Sequence, residues 1–116
     1  MAYQITITED AEKQLRALSV REQGILEASV SSRLADRPTI PTKSIKRLRP
    51  NPAAEYELRV GDLRVLYDVD LEKREVVLLV VGRKVGNSLI VEGEDYHAHR
   101  SAPTQSPPDE SGGTAE

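Results

Sequence analysis

The chain has no cysteine, tryptophan or phenylalanine and only four tyrosines, so leucine, valine and isoleucine must fill its core. Without cysteine, a disulfide framework and a thiolate metal centre are both excluded. Long apolar runs are missing too: the longest, Val76 to Val81, is six residues, against the ~20 that a membrane-spanning helix needs. The N-terminus, MAYQITITED, lacks the basic-then-apolar pattern of a secretory signal. A soluble, cytoplasmic protein with no membrane association is the expectation.

What is present fits one small domain. A chain of 116 residues can enclose a single core but not two. The net charge of −3 is unevenly spread: residues 92–116 hold six acids against Arg100 alone, whereas residues 1–91 hold 15 bases and 13 acids. We therefore divide the chain into a mildly basic folded domain, 1–91, and an acidic, Pro/Ser/Gly-rich tail, 92–116, of the composition that stays disordered. A surplus of two charges does not argue for nucleic acid by itself; clustering has to do that.

Tyr3 to Ile7 alternates and is rich in β-formers, which predicts a first strand with Tyr3, Ile5 and Ile7 on the core side. Thr8 can cap a helix whose buried stripe is Ala11, Leu15 and Leu18. Ser19-Val20-Arg21-Glu22 has the form of a capping box, so a second helix starts near Val20 and runs to about Ala35 with Ile25, Leu26, Val30 and Leu34 as its apolar face. No strand fits between the two, which makes them a helical hairpin on one face of a sheet. Pro38 and Pro41 follow, then a short strand near Ser44 to Leu48 and a turn at Arg49-Pro50-Asn51-Pro52.

The most strongly patterned stretch is Glu55 to Lys84, a meander of three antiparallel strands. A two-residue turn at Gly61-Asp62 pairs Val60 with Leu63, Arg59 with Arg64, Leu58 with Val65 and Tyr56 with Tyr67. One face is then apolar, and the other sets two arginines opposite each other, with Glu57 and Asp68 or an anion to relieve them. Val76 to Val81 has no polar side, so that strand should be central; too few other apolar elements exist to cover its second face, which points to a concave surface or a partner's segment there. Ser88 to Val91 is a further short strand or loop. The fold class is α+β: an N-terminal strand, a helical hairpin and a meander forming a small twisted sheet with the helices on one face.

No local catalytic motif stands out. His97 and His99 have no third ligand in view and read as tail residues rather than a metal site, no glycine-rich phosphate loop is present, and no cofactor is called for. What the meander can gather is cations: Arg59 and Arg64 on one face, Arg83 and Lys84 at the end of the central strand, and Lys43, Lys46, Arg47 and Arg49 on a neighbouring segment. Such a patch can hold an RNA backbone or balance charge on a scissile phosphate.

The run Y-x-L-R-V-G-D-x-R-V-L-Y-D-V from Tyr56 to Val69, with a strand ending V-G-R-K at Lys84 and the preceding order of strand, helical hairpin and strand, resembles the RelE/ParE superfamily of type II toxin–antitoxin toxins over about Tyr3 to Val91. That resemblance implies a cognate antitoxin and one of two targets. RelE-like toxins act with the ribosome, cleaving mRNA through the ribose 2′-hydroxyl with basic residues and a tyrosine near the C-terminus; ParE-like toxins bind DNA gyrase. By the resemblance, Arg64 and Lys84, or its neighbour Arg83, are the catalytic cations, with Arg59, Lys43, Lys46, Arg47 and Arg49 on RNA. The chain departs from the pattern in having Glu55 and Glu57 where active members present lysines, and in placing the tyrosine position near Ile90. Tyr96 is the candidate replacement. The alternative is a gyrase-binding or catalytically weak relative that acts by protein binding alone.

Overall fold

The computed structural model describes residues 2–49 and 53–96. The expected turn at 50–52, His97, His99 and the rest of the tail lie outside the described residues. In chain order the elements are β1 (Gln4–Ile7), α1 (Glu9–Arg16), α2 (Val20–Leu34), β2 (Ile45–Arg47), β3 (Tyr56–Val60), β4 (Leu63–Asp70), β5 (Glu75–Val85), β6 (Ser88–Val91) and β7 (Glu94–Asp95). Strands β2 to β7 follow one another across an antiparallel sheet, and β1 runs parallel to the first half of β5. This is the α+β architecture expected from the sequence. Among the described residues no helix is long and apolar enough to cross a membrane.

Both helices start where their caps dictate. The Thr8 hydroxyl accepts from the Ala11 amide, and Ser19 and Glu22 form the reciprocal capping box, so orphan amide groups at each start are satisfied. Ala11, Leu15, Leu26, Val30 and Leu34 are buried against Leu58, Val65, Tyr67, Val76 and Val81 of the sheet. Ile25, expected on the apolar face of α2, is instead 41% exposed. Leu26, Val30 and Leu34 recur at four-residue spacing and define the stripe; Ile25 sits about one residue's rotation away from it.

The β3–β4 register is the one the alternation predicts: Val60 with Leu63, Arg59 with Arg64, Leu58 with Val65 and Tyr56 with Tyr67. Between β4 and β5 the ladder slips at Leu66/Tyr67, where Leu66 pairs with Val80 and Tyr67 with Leu78. The extra residue, Leu79, is a β-bulge, and it switches the phase of everything after it. Val76, Leu78 and Val81 therefore all face the helices, and Val80, Gly82 and Lys84 face away.

The second face of the sheet, expected to be a concave surface or to take a partner's segment, is covered in part by the chain itself and keeps a concave cleft. Ala54, Leu66, Val80 and Val91 are buried there, with Leu48, Ala53, Leu79, Leu89 and Tyr96 packed on them. The polypeptide supplies this cover by folding back past Val91. Glu92 and Gly93 both have positive φ (52° and 82°), the backbone of a type I′ turn, and β7 pairs with β6. The Tyr96 amide then donates to the Leu89 carbonyl at 2.8 Å.

Candidate functional site

On the helix-free face, two rows of side chains cross the sheet. One is Lys46, Glu57, Leu66 and Val80; the other is Arg59, Arg64 and Gly82. Members of a row are roughly 5 Å apart and diagonal neighbours roughly 7–8 Å, which brings Lys84, two residues beyond Gly82, within reach of Arg64. Between the rows and the β6–β7 hairpin lies a cleft of about 240 Å³ lined by Leu48, Glu57, Leu66, Lys84, Leu89 and Tyr96, among others. The volume falls below the roughly 300–1,000 Å³ of small-molecule pockets.

The cations are held in different ways. The Arg64 Nη1 donates to the carbonyls of Gly61 and Leu63, both at 2.8 Å, which anchors the guanidinium at the hairpin tip and leaves its other donors without a partner among the described residues. The Arg59 Nε lies 3.1 Å from Glu57 Oε1, a pair whose carboxylate side is only 13% exposed. This is the relief of the opposed arginines by a neighbouring carboxylate. Lys84 forms no ion pair among the described residues. The Tyr96 phenol is pushed up by burial, with the Asp10 carboxylate adding to the shift, so the hydroxyl keeps its proton through neutral pH.

Arg83 does not join this set. It points to the helix side, where its Nη1 is 2.8 Å from Glu22 and 3.5 Å from Asp62. Arg47 is also elsewhere, paired in register with Tyr56 and lying 5.7 Å over its ring. Lys43 and Arg49 are exposed on either side of β2, and only Lys46 of that cluster shares a row with Glu57. The far end of the same face is acidic, with Glu55, Asp68, Asp70, Glu72 and Glu75 around a shallow depression. A polyanion is therefore repelled from that end and drawn toward Arg59, Arg64 and Lys84.

Two contacts on these strands carry predictions of their own. The Arg83 guanidinium, then the Ser19 amide and hydroxyl, hold the Glu22 carboxyl down from 4.5 to about 2. A depressed carboxyl stabilises the fold above its unfolded pKa and loses that contribution as pH falls through the folded one. Stability should decline between pH 4.5 and 2, and Glu22→Gln should flatten that part of a plot of thermal midpoint against pH. At Gly82, a Cβ would come within 2.6 Å of the Ile90 carbonyl oxygen and 2.9 Å of Val91 Cγ2. Gly82→Ala must push β6 off its partner, costing about 1–3 kcal/mol as overpacking does; a urea melt reads it, and an unchanged midpoint would refute the close approach.

Leu66 and Leu48 are not marked by the sequence pattern because each is a single apolar residue in a polar register, and Leu89 lies in a short segment that reads as either strand or loop. Their signal was the Leu66 that interrupts the Arg64–Asp68 alternation.

No family model matches the chain, and no curated protein matches it. Solved structures do. The RelBE2 toxin–antitoxin complex of Mycobacterium tuberculosis aligns with 27% identity over 72% of this chain and 100% of that one, with a TM-score of 0.61. A double arginine-to-alanine mutant of the Escherichia coli toxin RelE in the free state aligns with 27% identity over 72% of this chain and 84% of that one, TM-score 0.56. The isolated E. coli RelE toxin shares the fold, at 24% identity, 72% and 86% coverage and TM-score 0.56.

Proposed function

We propose that this chain, a RelE-superfamily toxin by its fold and its structural neighbours, is a ribosome-dependent endoribonuclease that cuts mRNA and is neutralised by a cognate antitoxin. The observation that carries the reading is the cleft on the helix-free face, lined by Lys84 and Tyr96, with Arg64 and Arg59 in the adjoining row of the same face. Three cations from three neighbouring strands of one face can neutralise the charge that builds on a phosphate during in-line attack. The aromatic ring offers a surface on which an unpaired base can stack.

Within this reading Lys84 rather than Arg83 is the cation of β5, because only Lys84 lines the cleft. Tyr96 takes the place of the tyrosine that Ile90 does not provide: it reaches the face from a hairpin later in the chain. Arg59 and Lys46 hold the RNA backbone, and Arg47, Lys43 and Arg49 are left to surface contacts. The domain extends through the β6–β7 hairpin to at least Tyr96.

The antitoxin reading follows the RelBE2 neighbour, which was crystallised as a complex. Purified protein added to translating ribosomes should yield mRNA fragments with 5′ ends inside the A-site codon, and the co-encoded antitoxin should suppress them. Absence of cuts under conditions in which E. coli RelE cuts would overturn the ribonuclease. Inhibition of gyrase supercoiling would replace it with the ParE-like alternative.

A further inference from the structure

The cation set explains how a phosphate would be held but not what removes the proton from the attacking hydroxyl. Guanidinium and ammonium groups carry donors only. The Tyr96 phenol, raised by burial, is a donor as well. Two carboxylates line the cleft, Glu57 and Asp95. Asp95 is exposed on the two-residue edge strand β7. Glu57 is in the middle of β3, only 13% exposed, with Leu66 across the ladder and Arg59 at 3.1 Å fixing one of its oxygens.

We propose that Glu57 is the general base of the cleavage, an assignment that rests on the ribonuclease reading above. A Glu57 oxygen takes the proton of a ribose 2′-hydroxyl, and O2′ forms a bond to the adjacent phosphorus. The bond from phosphorus to the 5′-oxygen breaks, that oxygen takes a proton from water, the hydroxide left behind takes back the proton held by Glu57, and the products are a 2′,3′-cyclic phosphate and a 5′-hydroxyl. Arg59 links the two ends of the step. Before attack its guanidinium is balanced by the Glu57 carboxylate; once that carboxylate is protonated, the cation faces the phosphate oxygens, where the negative charge has moved. A carboxylate within an otherwise cationic face thus supplies the base that the cations cannot.

The test is single-turnover cleavage in programmed ribosomes over a range of pH for the wild type, Glu57→Gln and Glu57→Asp, with ribosome co-sedimentation as the binding readout. Glu57→Gln should bind ribosomes normally and cut ~10²–10⁴-fold more slowly, the range a positioned base contributes, and it should lose the acid limb of the wild-type pH–rate profile. Glu57→Asp should cut at an intermediate rate and keep the limb, and it decides the matter if the glutamine variant fails to fold. Cutting by Glu57→Gln within threefold of the wild type, or slow cutting that retains the acid limb, would reduce Glu57 to a partner that positions Arg59 and overturn the proposal while leaving the ribonuclease intact. Failure of the wild type to cut at all would overturn both.

Discussion

Lys84→Ala should cut A-site codons ~10²–10³-fold more slowly than the wild type, the loss seen when one preorganised donor is taken from a developing oxyanion, with almost no change in thermal midpoint. Arg83→Ala, one residue away, should do the reverse. The reason is geometric. Adjacent residues of a strand point to opposite faces, and Lys84 lines the cleft while Arg83 reaches to Glu22 at the start of α2 and to Asp62 in the β3–β4 turn. An exposed lysine without an ion partner contributes little to stability. The Arg83 side chain instead ties a helix N-terminus to the end of β5, so its loss should lower the midpoint and remove the acid dependence carried by Glu22. Measuring cleavage and melting for both variants gives a crossed pattern. Equal cleavage losses would show that the cleft is not where phosphate is bound.

The choice between these neighbours shows what the sequence could and could not express. Alternation and the Gly61-Asp62 turn determined the β3–β4 register residue by residue, and the cap motifs placed both helix starts, because those features depend on contacts only a few residues apart. Strict alternation from Val76, however, would have put Lys84 on the helix side and Arg83 in the open. The bulge at Leu79 reverses that order, and nothing in a run of six aliphatic residues marks which of them is extra. Tyr96 was a candidate from the sequence, but its position at the cleft was hidden for a similar reason. Its arrival at the cleft requires Glu92 to take a positive φ, which a glutamate seldom adopts, and its packing partners Leu48, Leu66 and Leu89 come from three separate strands or their flanks. The parallel pairing of β1 with β5 spans about seventy residues and has no local signature at all.

Tyr67→Ala is expected to leave little folded protein at 37 °C, the largest stability effect of any single change on these strands. Tyr67 is fully buried, its ring stacks on Tyr56 at 5.4 Å between centroids and 16° between planes, and its hydroxyl donates to the Pro38 carbonyl at 2.6 Å. Truncation of a large buried aromatic costs about 3–5 kcal/mol in lost burial and cavity, out of the roughly 5–15 kcal/mol that holds a domain together. Tyr67→Phe separates the two parts of the effect. It keeps the stack and the volume but strands the buried Pro38 carbonyl, at about 1–3 kcal/mol, which in a domain this size is roughly 4–8 °C of midpoint per kcal/mol. Burial also raises the Tyr67 pKa above its ordinary 10. A group raised on folding stabilises fully below its unfolded pKa and loses that contribution as pH climbs toward the folded one, so the wild type should lose stability above pH 10 and Tyr67→Phe should lose less. Since Tyr67 faces the helices and the cleft is on the other side of the sheet, the phenylalanine variant should still cut at 25 °C at close to the wild-type rate. A midpoint within a degree of the wild type for Tyr67→Phe would mean that the hydroxyl bond to Pro38, and the tether it provides between β4 and the segment after α2, is not formed in solution.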